Sequence, residues 1–133
     1  MGAMVEPHAL KRIVLVVEDD PVVRQLVVEL LSEETDFDVR GAVGGTEVLK
    51  LLTTTVPHVV LLDLALPGMD GVELAEWFKA DARTRAVPLI GITALGPNAG
   101  VRQEAMAAGC FTVLDKPIDP DLLLRTIRSV LVA

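Results

Sequence analysis

Hydrophobic runs in this chain end, again and again, in residues able to do chemistry. Ile13-Val14-Leu15-Val16-Val17 leads into Glu18-Asp19-Asp20, and Val59-Val60-Leu61-Leu62 leads into Asp63. The stretch from Val87 to Ile92 reaches Thr93-Ala94, and that from Phe111 to Asp115 reaches Lys116-Pro117. Carboxylates crowded within a few ångströms repel one another, and one takes up a proton unless a cation is present. A divalent ion resolves the repulsion. The ligands on offer are hard oxygens, with no His or Cys near these run ends, so Mg²⁺ is the fitting ion. It would keep open positions for water or a phosphoryl oxygen. A hydroxyl and an ammonium facing a metal-bound carboxylate suit a phosphoryl group in transfer or covalently held. Asp63 would then be the nucleophile, giving an acyl phosphate.

Taken singly, each residue has a plainer reading. An acidic triplet before a helix caps it and complements its dipole. A lone threonine at a strand end is a turn residue, and a lysine before proline is a solvated charge. Their joint occurrence favours the chemical reading, provided the fold brings the run ends together.

The elements around them do so. Four consecutive apolar residues before Asp63 are too many for a half-exposed strand and fit one buried on both faces. Lys11 to Val17 reads as a first strand of the same kind. Asp20-Pro21 opens a helix, Asp as N-cap and Pro at the first helical position. Within it Val23, Leu26, Val27 and Leu30 are expected to face the core, with Val22 and Leu31 flanking them and Val28 pointing away. Phe37 to Ala42 is a more polar strand expected at a sheet edge, followed by a helix over about Thr46 to Thr53. Val72 to Ala80 is a third helix, with Asp70 and Gly71 shaping the loop before it. After the strand at Val87 to Ile92, Asn98 is a candidate cap for a helix to Ala108, which Gly109 would stop in the left-handed conformation. Phe111 to Asp115 is the last strand, and Asp119-Pro120 starts the last helix, through about Leu131. Five strands alternating with five helices predict an α/β fold with an open, doubly wound parallel sheet. Strand order 2-1-3-4-5 places Glu18, Asp19 and Asp63 on one rim.

Composition narrows the rest. The 133 residues suit one domain, and 51% hydrophobic against 3% aromatic leaves the packing to Val, Leu, Ile and Ala. A net charge of −7 with no basic cluster argues against direct nucleic-acid binding. No apolar run approaches the ~20 residues of a membrane span, and Met1 to Pro7 carries no signal-peptide stretch. The single Cys110 is read as a small buried hydrophobe, consistent with the cytoplasm. His58, at the amino end of its strand, is read as a surface or capping group, and Trp77 as packing.

Together, Val16-Val17-Glu18-Asp19-Asp20-Pro21, Leu62-Asp63-Leu64-Ala65-Leu66-Pro67-Gly68-Met69-Asp70-Gly71, Thr93-Ala94 and Lys116-Pro117 resemble the receiver domain of bacterial two-component response regulators. The resemblance covers about Arg12 to Val130; residues 1–11 are read as a tail and 12–133 as the receiver, of flavodoxin-like fold. It implies that Asp63 is the phosphoacceptor, taking phosphoryl from a sensor histidine kinase or a histidine phosphotransfer protein. Asp19 would bind Mg²⁺ directly, Glu18 through water, and the Ala65 carbonyl would complete the protein ligands. Thr93 and Lys116 would bind phosphoryl oxygens, with a cis Lys116-Pro117 bond.

Two positions depart from the commoner pattern. Where many receivers carry a mobile Tyr or Phe this chain has Val113, so coupling is expected to run through Thr93, Ala94 and the segment to Gly100. Phe111, further from Lys116, is expected to pack near the strand's other end. Where Asn or Met is frequent it has Ala65, leaving the acyl phosphate's decay to water access. A partner is expected to dock over Val22, Val23 and Leu26 and the Pro117-Ile118 loop. Two other functions compete with the switch: a docking receiver independent of phosphorylation, and a Mg²⁺-dependent phosphotransferase working through an aspartyl phosphate. Against the second, Ala65 lacks a proton-transfer group; against the first stand all five polar site residues.

Overall fold

The computed structural model describes residues 11–65, 70–94 and 100–131. Five parallel strands form one sheet in the order β2-β1-β3-β4-β5. They are β1 (Arg12–Val17), β2 (Phe37–Ala42), β3 (Val59–Asp63), β4 (Leu89–Thr93) and β5 (Thr112–Asp115). Between and after them run α1 (Pro21–Ser32), α2 (Gly45–Leu51), α3 (Gly71–Ala80), α4 (Val101–Ala107) and α5 (Pro120–Leu131). The expected architecture and strand order are thus observed, with the polar β2 at one edge.

The apolar runs are buried on both faces because alternate residues enter different cores. Leu15, Val17, Val60 and Leu62 pack with Leu74, Ala75, Phe78 and Ala105. Val14, Val16, Val59 and Leu61 pack with Val27, Leu31, Leu123 and Ile127. Full burial of one such aliphatic or aromatic side chain contributes roughly 1.5–3 kcal/mol. Trp77 packs on the first core and meets the Phe78 ring edge-on, as expected of a packing residue. Cys110 is buried.

Helix α1 is rotated relative to the expectation. Val27 and Leu31 are its buried residues, Leu26 is 61% exposed, and Val28 packs on the core instead of pointing away. The cause is topological. Helix α1 is the crossover from β1 to β2, so it lies over that pair and turns the Val27–Leu31 row inward; Leu26 is carried to the α5 side.

Boundaries moved where backbone chemistry required it. Pro88 has no N–H for the ladder, so β4 starts at Leu89, while the Pro88 carbonyl still accepts from Val60 N at 3.1 Å. Helix α4 starts at Val101 after Gly100 at φ 78°; Asn98 lies outside the described residues. Gly109, at φ 112°, ends that helical stretch as read. Phe111 does not pack: it precedes β5, at the open edge of the sheet, and is 56% exposed. Lys116–Pro117 is cis.

Candidate functional site

The end of β1, the end of β3 and the residue after β5 meet on one rim. Among the described residues, Glu18, Asp19 and Asp63 form a carboxylate group whose candidate ligand atoms all lie within 4.8 Å of one another. Glu18 and Asp63 are each only 4% exposed. Asp20, the third acid of the triplet, takes the plainer role: its Oδ1 accepts from Val22 N at 2.9 Å and Val23 N at 3.3 Å, capping α1.

Several local devices hold the acids. Glu18 N donates to the Ala42 carbonyl at 3.0 Å, extending the β1–β2 ladder by one residue. Glu18 Oε2 accepts from Asp20 N at 3.2 Å. Asp63 Oδ1 accepts from Ala65 N at 3.0 Å, turning the chain as it leaves β3. Gly71 presses on that turn, since a Cβ there would lie 2.5 Å from the Asp63 carbonyl oxygen and from Leu64 Cα. Any larger residue would push α3 off the Asp63–Leu64 backbone. Asp70 then caps α3 through Val72 N at 2.8 Å. The packing role of Gly71 was not legible in the sequence, where it read as a loop former; a glycine next to a capping Asp was the available signal.

Lys116 reaches the acids from the other side. Its Nζ lies 2.9 Å from Glu18 Oε1 and 3.4 Å from Asp63 Oδ2. Burial, together with its hydrogen bond to Asp63, pushes the Glu18 carboxyl up to about 7, against the opposing pull of Lys116. Lys116 is raised above the ordinary lysine value: its desolvation works the other way but is outweighed by Glu18 and the charge of Asp63. A divalent cation suits this oxygen set, because its charge would favour the ionised Glu18 carboxylate that burial now disfavours.

Thr93 is 1% exposed at the end of β4, and its carbonyl accepts from Lys116 N at 2.8 Å. The threonine and the lysine are therefore linked through the main chain. Val113 is buried within the sheet's α3–α4 core. Arg102, which the sequence did not single out, joins α4 to β5: it donates to the Val113 carbonyl at 2.6 Å and to the Asp115 carboxylate at 3.2 and 3.3 Å. Arg24, likewise unremarked, donates to the Glu18 carbonyl at 2.9 Å.

Beside the acids an apolar groove of about 700 Å³ runs between α1 and the start of α5, lined among others by Val23, Leu26, Leu30, Pro117 and Ile118. Val22 stands next to it, 66% exposed. His58 lies at the other rim, where its Nδ1 accepts from Ile13 N at 2.9 Å. Among the described residues no helix is long and apolar enough to cross a membrane.

Comparison with known proteins agrees with this geometry. The chain is 35% identical over 128 residues to response regulator Rre1 of Synechocystis, covering 96% of this chain and 53% of that protein. It therefore spans about half of that relative's length. It is 30% identical over 118 residues to the polar-differentiation response regulator DivK of Brucella ovis, covering 89% of this chain and 94% of DivK. The crystal structure of a response regulator from Chloroflexus aurantiacus superposes with a TM-score of 0.86 at 27% identity, over 92% of this chain and 99% of that one. The family model for the response regulator receiver domain matches residues 14–128, and the chain belongs to that family.

Proposed function

We propose that this receiver is a phosphorylation-controlled switch in which Asp63 takes a phosphoryl group from a phosphohistidine on a sensor histidine kinase or a histidine phosphotransfer protein. The observation that carries the reading is the convergence of Glu18, Asp19 and Asp63 with Lys116 against two of the three. A carboxylate oxygen of Asp63 attacks phosphorus, and the phosphorus–nitrogen bond breaks. Its electron pair stays on the imidazole nitrogen, which the partner's histidine retains. Lys116 Nζ pairs with one phosphoryl oxygen and the Thr93 hydroxyl donates to another. Asp19 would hold Mg²⁺ directly, Glu18 through water, and the Ala65 carbonyl would complete the protein ligands. When bound, the ion supplies the charge neutralisation on which phosphoryl transfer rests. Hydrolysis of the acyl phosphate is the domain's own second step, and the Ala65 methyl leaves it to the access of water. No other substrate is turned over, and the domain works in the cytoplasm.

The groove is the docking surface for the phosphodonor. Val22, Val23, Leu26, Pro117 and Ile118 offer apolar area beside Asp63, which suits the apolar face of a helix carrying the histidine. Phosphorylation then draws Thr93 towards the phosphoryl group through a charge-assisted hydrogen bond of roughly 1.5–3 kcal/mol. Ala94 and the start of α4 follow. Val113 has no ring to swing and β-branching restricts its χ1, so the signal passes to β5 through the Arg102 contacts with Val113 and Asp115.

The direct test is mass spectrometry after incubation with acetyl phosphate. One phosphoryl group on Asp63 is expected, dependent on Mg²⁺ and absent from Asp63→Asn. Undiminished labelling of Asp63→Asn would overturn the assignment.

A further inference from the structure

We infer that Arg24 is a positioning residue for the metal-binding loop, acting through the backbone of the two acids and not through their side chains. The inference rests on the Mg²⁺ reading above and extends it to a residue outside the carboxylate group. Glu18 and Asp19 stand just past the end of β1, where the ladder no longer supplies every carbonyl with a donor, and a partly buried carbonyl needs one. Arg24 supplies it. Its Nη1 donates to the Glu18 carbonyl at 2.9 Å and lies 3.5 Å from the Asp19 carbonyl.

The geometry explains how a residue in the first turns of α1 reaches back so far. Helical side chains slant towards the helix amino terminus, and Arg24 N itself donates to the Asp20 carbonyl at 2.9 Å, so the residue is anchored at its own backbone. Its stem crosses the neighbouring strand at Gly41, where a Cβ would lie 3.3 Å from Arg24 Cδ and 3.4 Å from Cγ. A β-branched side chain at Gly41 would therefore crowd the arginine stem along β2. The guanidinium fixes the peptide planes from which the Glu18 and Asp19 carboxylates depart, as outer partners orient metal ligands elsewhere.

Charge and position predict opposite results, which makes the inference testable. Removing a cation so near the carboxylates would by Coulomb's law alone tighten binding of a divalent cation. Loss of a positioning contact should weaken it. Isothermal titration of the full chain with Mg²⁺ alone is therefore the experiment, on the wild type, Arg24→Met, Arg24→Lys and Gly41→Val. Arg24→Met keeps much of the stem and should weaken Mg²⁺ binding about tenfold, the lower end for loss of an outer partner. Arg24→Lys, which retains a donor, should recover part of that loss. Gly41→Val should weaken binding while leaving every acid and the guanidinium in the sequence. Thermal unfolding in EDTA separates these effects from general damage, because a positioning role predicts that the Mg²⁺-induced rise in melting temperature shrinks more than the metal-free value falls. Unchanged or tighter Mg²⁺ binding in a folded Arg24→Met would overturn the inference. Should that variant fail to fold, unchanged binding by Gly41→Val would overturn it equally. A wild type that takes up no Mg²⁺ would instead remove the metal reading itself, and this inference with it.

Discussion

The two rims of the sheet treat charge in opposite ways. At the amino-end rim, Arg128 of α5 forms ion pairs with both Glu34 and Asp36 and lies 4.4 Å above the Phe37 ring. Arg12 donates to the Leu131 carbonyl at 3.2 Å. Arg128 meets its two carboxylates in partial contact with water, and it holds the Asp36 carboxyl below its usual range. At the carboxyl-end rim two acids are almost fully buried against each other, one lysine is divided between them, and Glu18 rises to about 7. One rim fastens the last helix to the α1–β2 turn. The other keeps an electrostatic conflict among buried acids that a cation would resolve.

The largest effect expected from this contrast concerns phosphorylation. Asp63→Asn should abolish acetyl phosphate labelling, whereas Asp36→Asn at the opposite rim should leave it intact. Equal loss in both would erase the distinction between the rims.

Next comes the pH dependence of the metal-free protein. Glu18 has a folded pKa raised from 4.5 to about 7. Its contribution to stability is therefore fully present below 4.5 and is lost as pH rises through 7, where the folded state must carry the buried charge. Relative to Glu18→Gln, which cannot ionise, the metal-free wild type should lose on the order of 3 kcal/mol across that window. Chemical denaturation in EDTA at several pH values measures it, and saturating Mg²⁺ should flatten the curve. Parallel curves for the two proteins would mean that Glu18 is not held under tension.

Val22→Glu probes the groove beside the conflicted rim. It should slow transfer from a phosphohistidine donor severalfold while sparing acetyl phosphate, because the small donor needs no docking surface. Equal slowing with both donors would point to a damaged fold. Arg102→Met should leave labelling of Asp63 unchanged yet shrink the beryllofluoride-induced chemical-shift changes along β5, as followed by NMR. Shifts of wild-type size would show that the signal crosses to β5 elsewhere.

The smallest effect belongs to the satisfied rim. Arg128→Met should cost about 1 kcal/mol, the range of exposed ion pairs and cation–π contacts. It should alter neither labelling nor Mg²⁺ binding. A large fall in labelling would mean that the two rims are coupled through α5.

Much of this protein is written in local patterns. Doubly buried apolar runs, Asp-Pro helix starts and the glycine stop at Gly109 specify a βα repeat, and the repeat with right-handed crossovers brings the strand ends to one rim. The identity of the site follows, because Glu18, Asp19, Asp63, Thr93 and Lys116 each stand at a strand's carboxyl end in the sequence itself. Other features depended on where separate elements came to rest. The periodicity of α1 defines an apolar face about its own axis, but only its seat over β1 and β2 decided that Leu31 turns inward and Leu26 outward. The closer approach of Lys116 to Glu18, 2.9 Å against 3.4 Å for Asp63, depends on three backbones whose separation no spacing along the chain encodes. Gly71 likewise reads as a turn glycine until another backbone is seen to occupy the space that a Cβ would need, and Gly41 as a strand residue until an arginine stem is seen to lie close beside it. Periodicity acts along one element at a time, whereas contact distances between elements are set by how their side chains pack together.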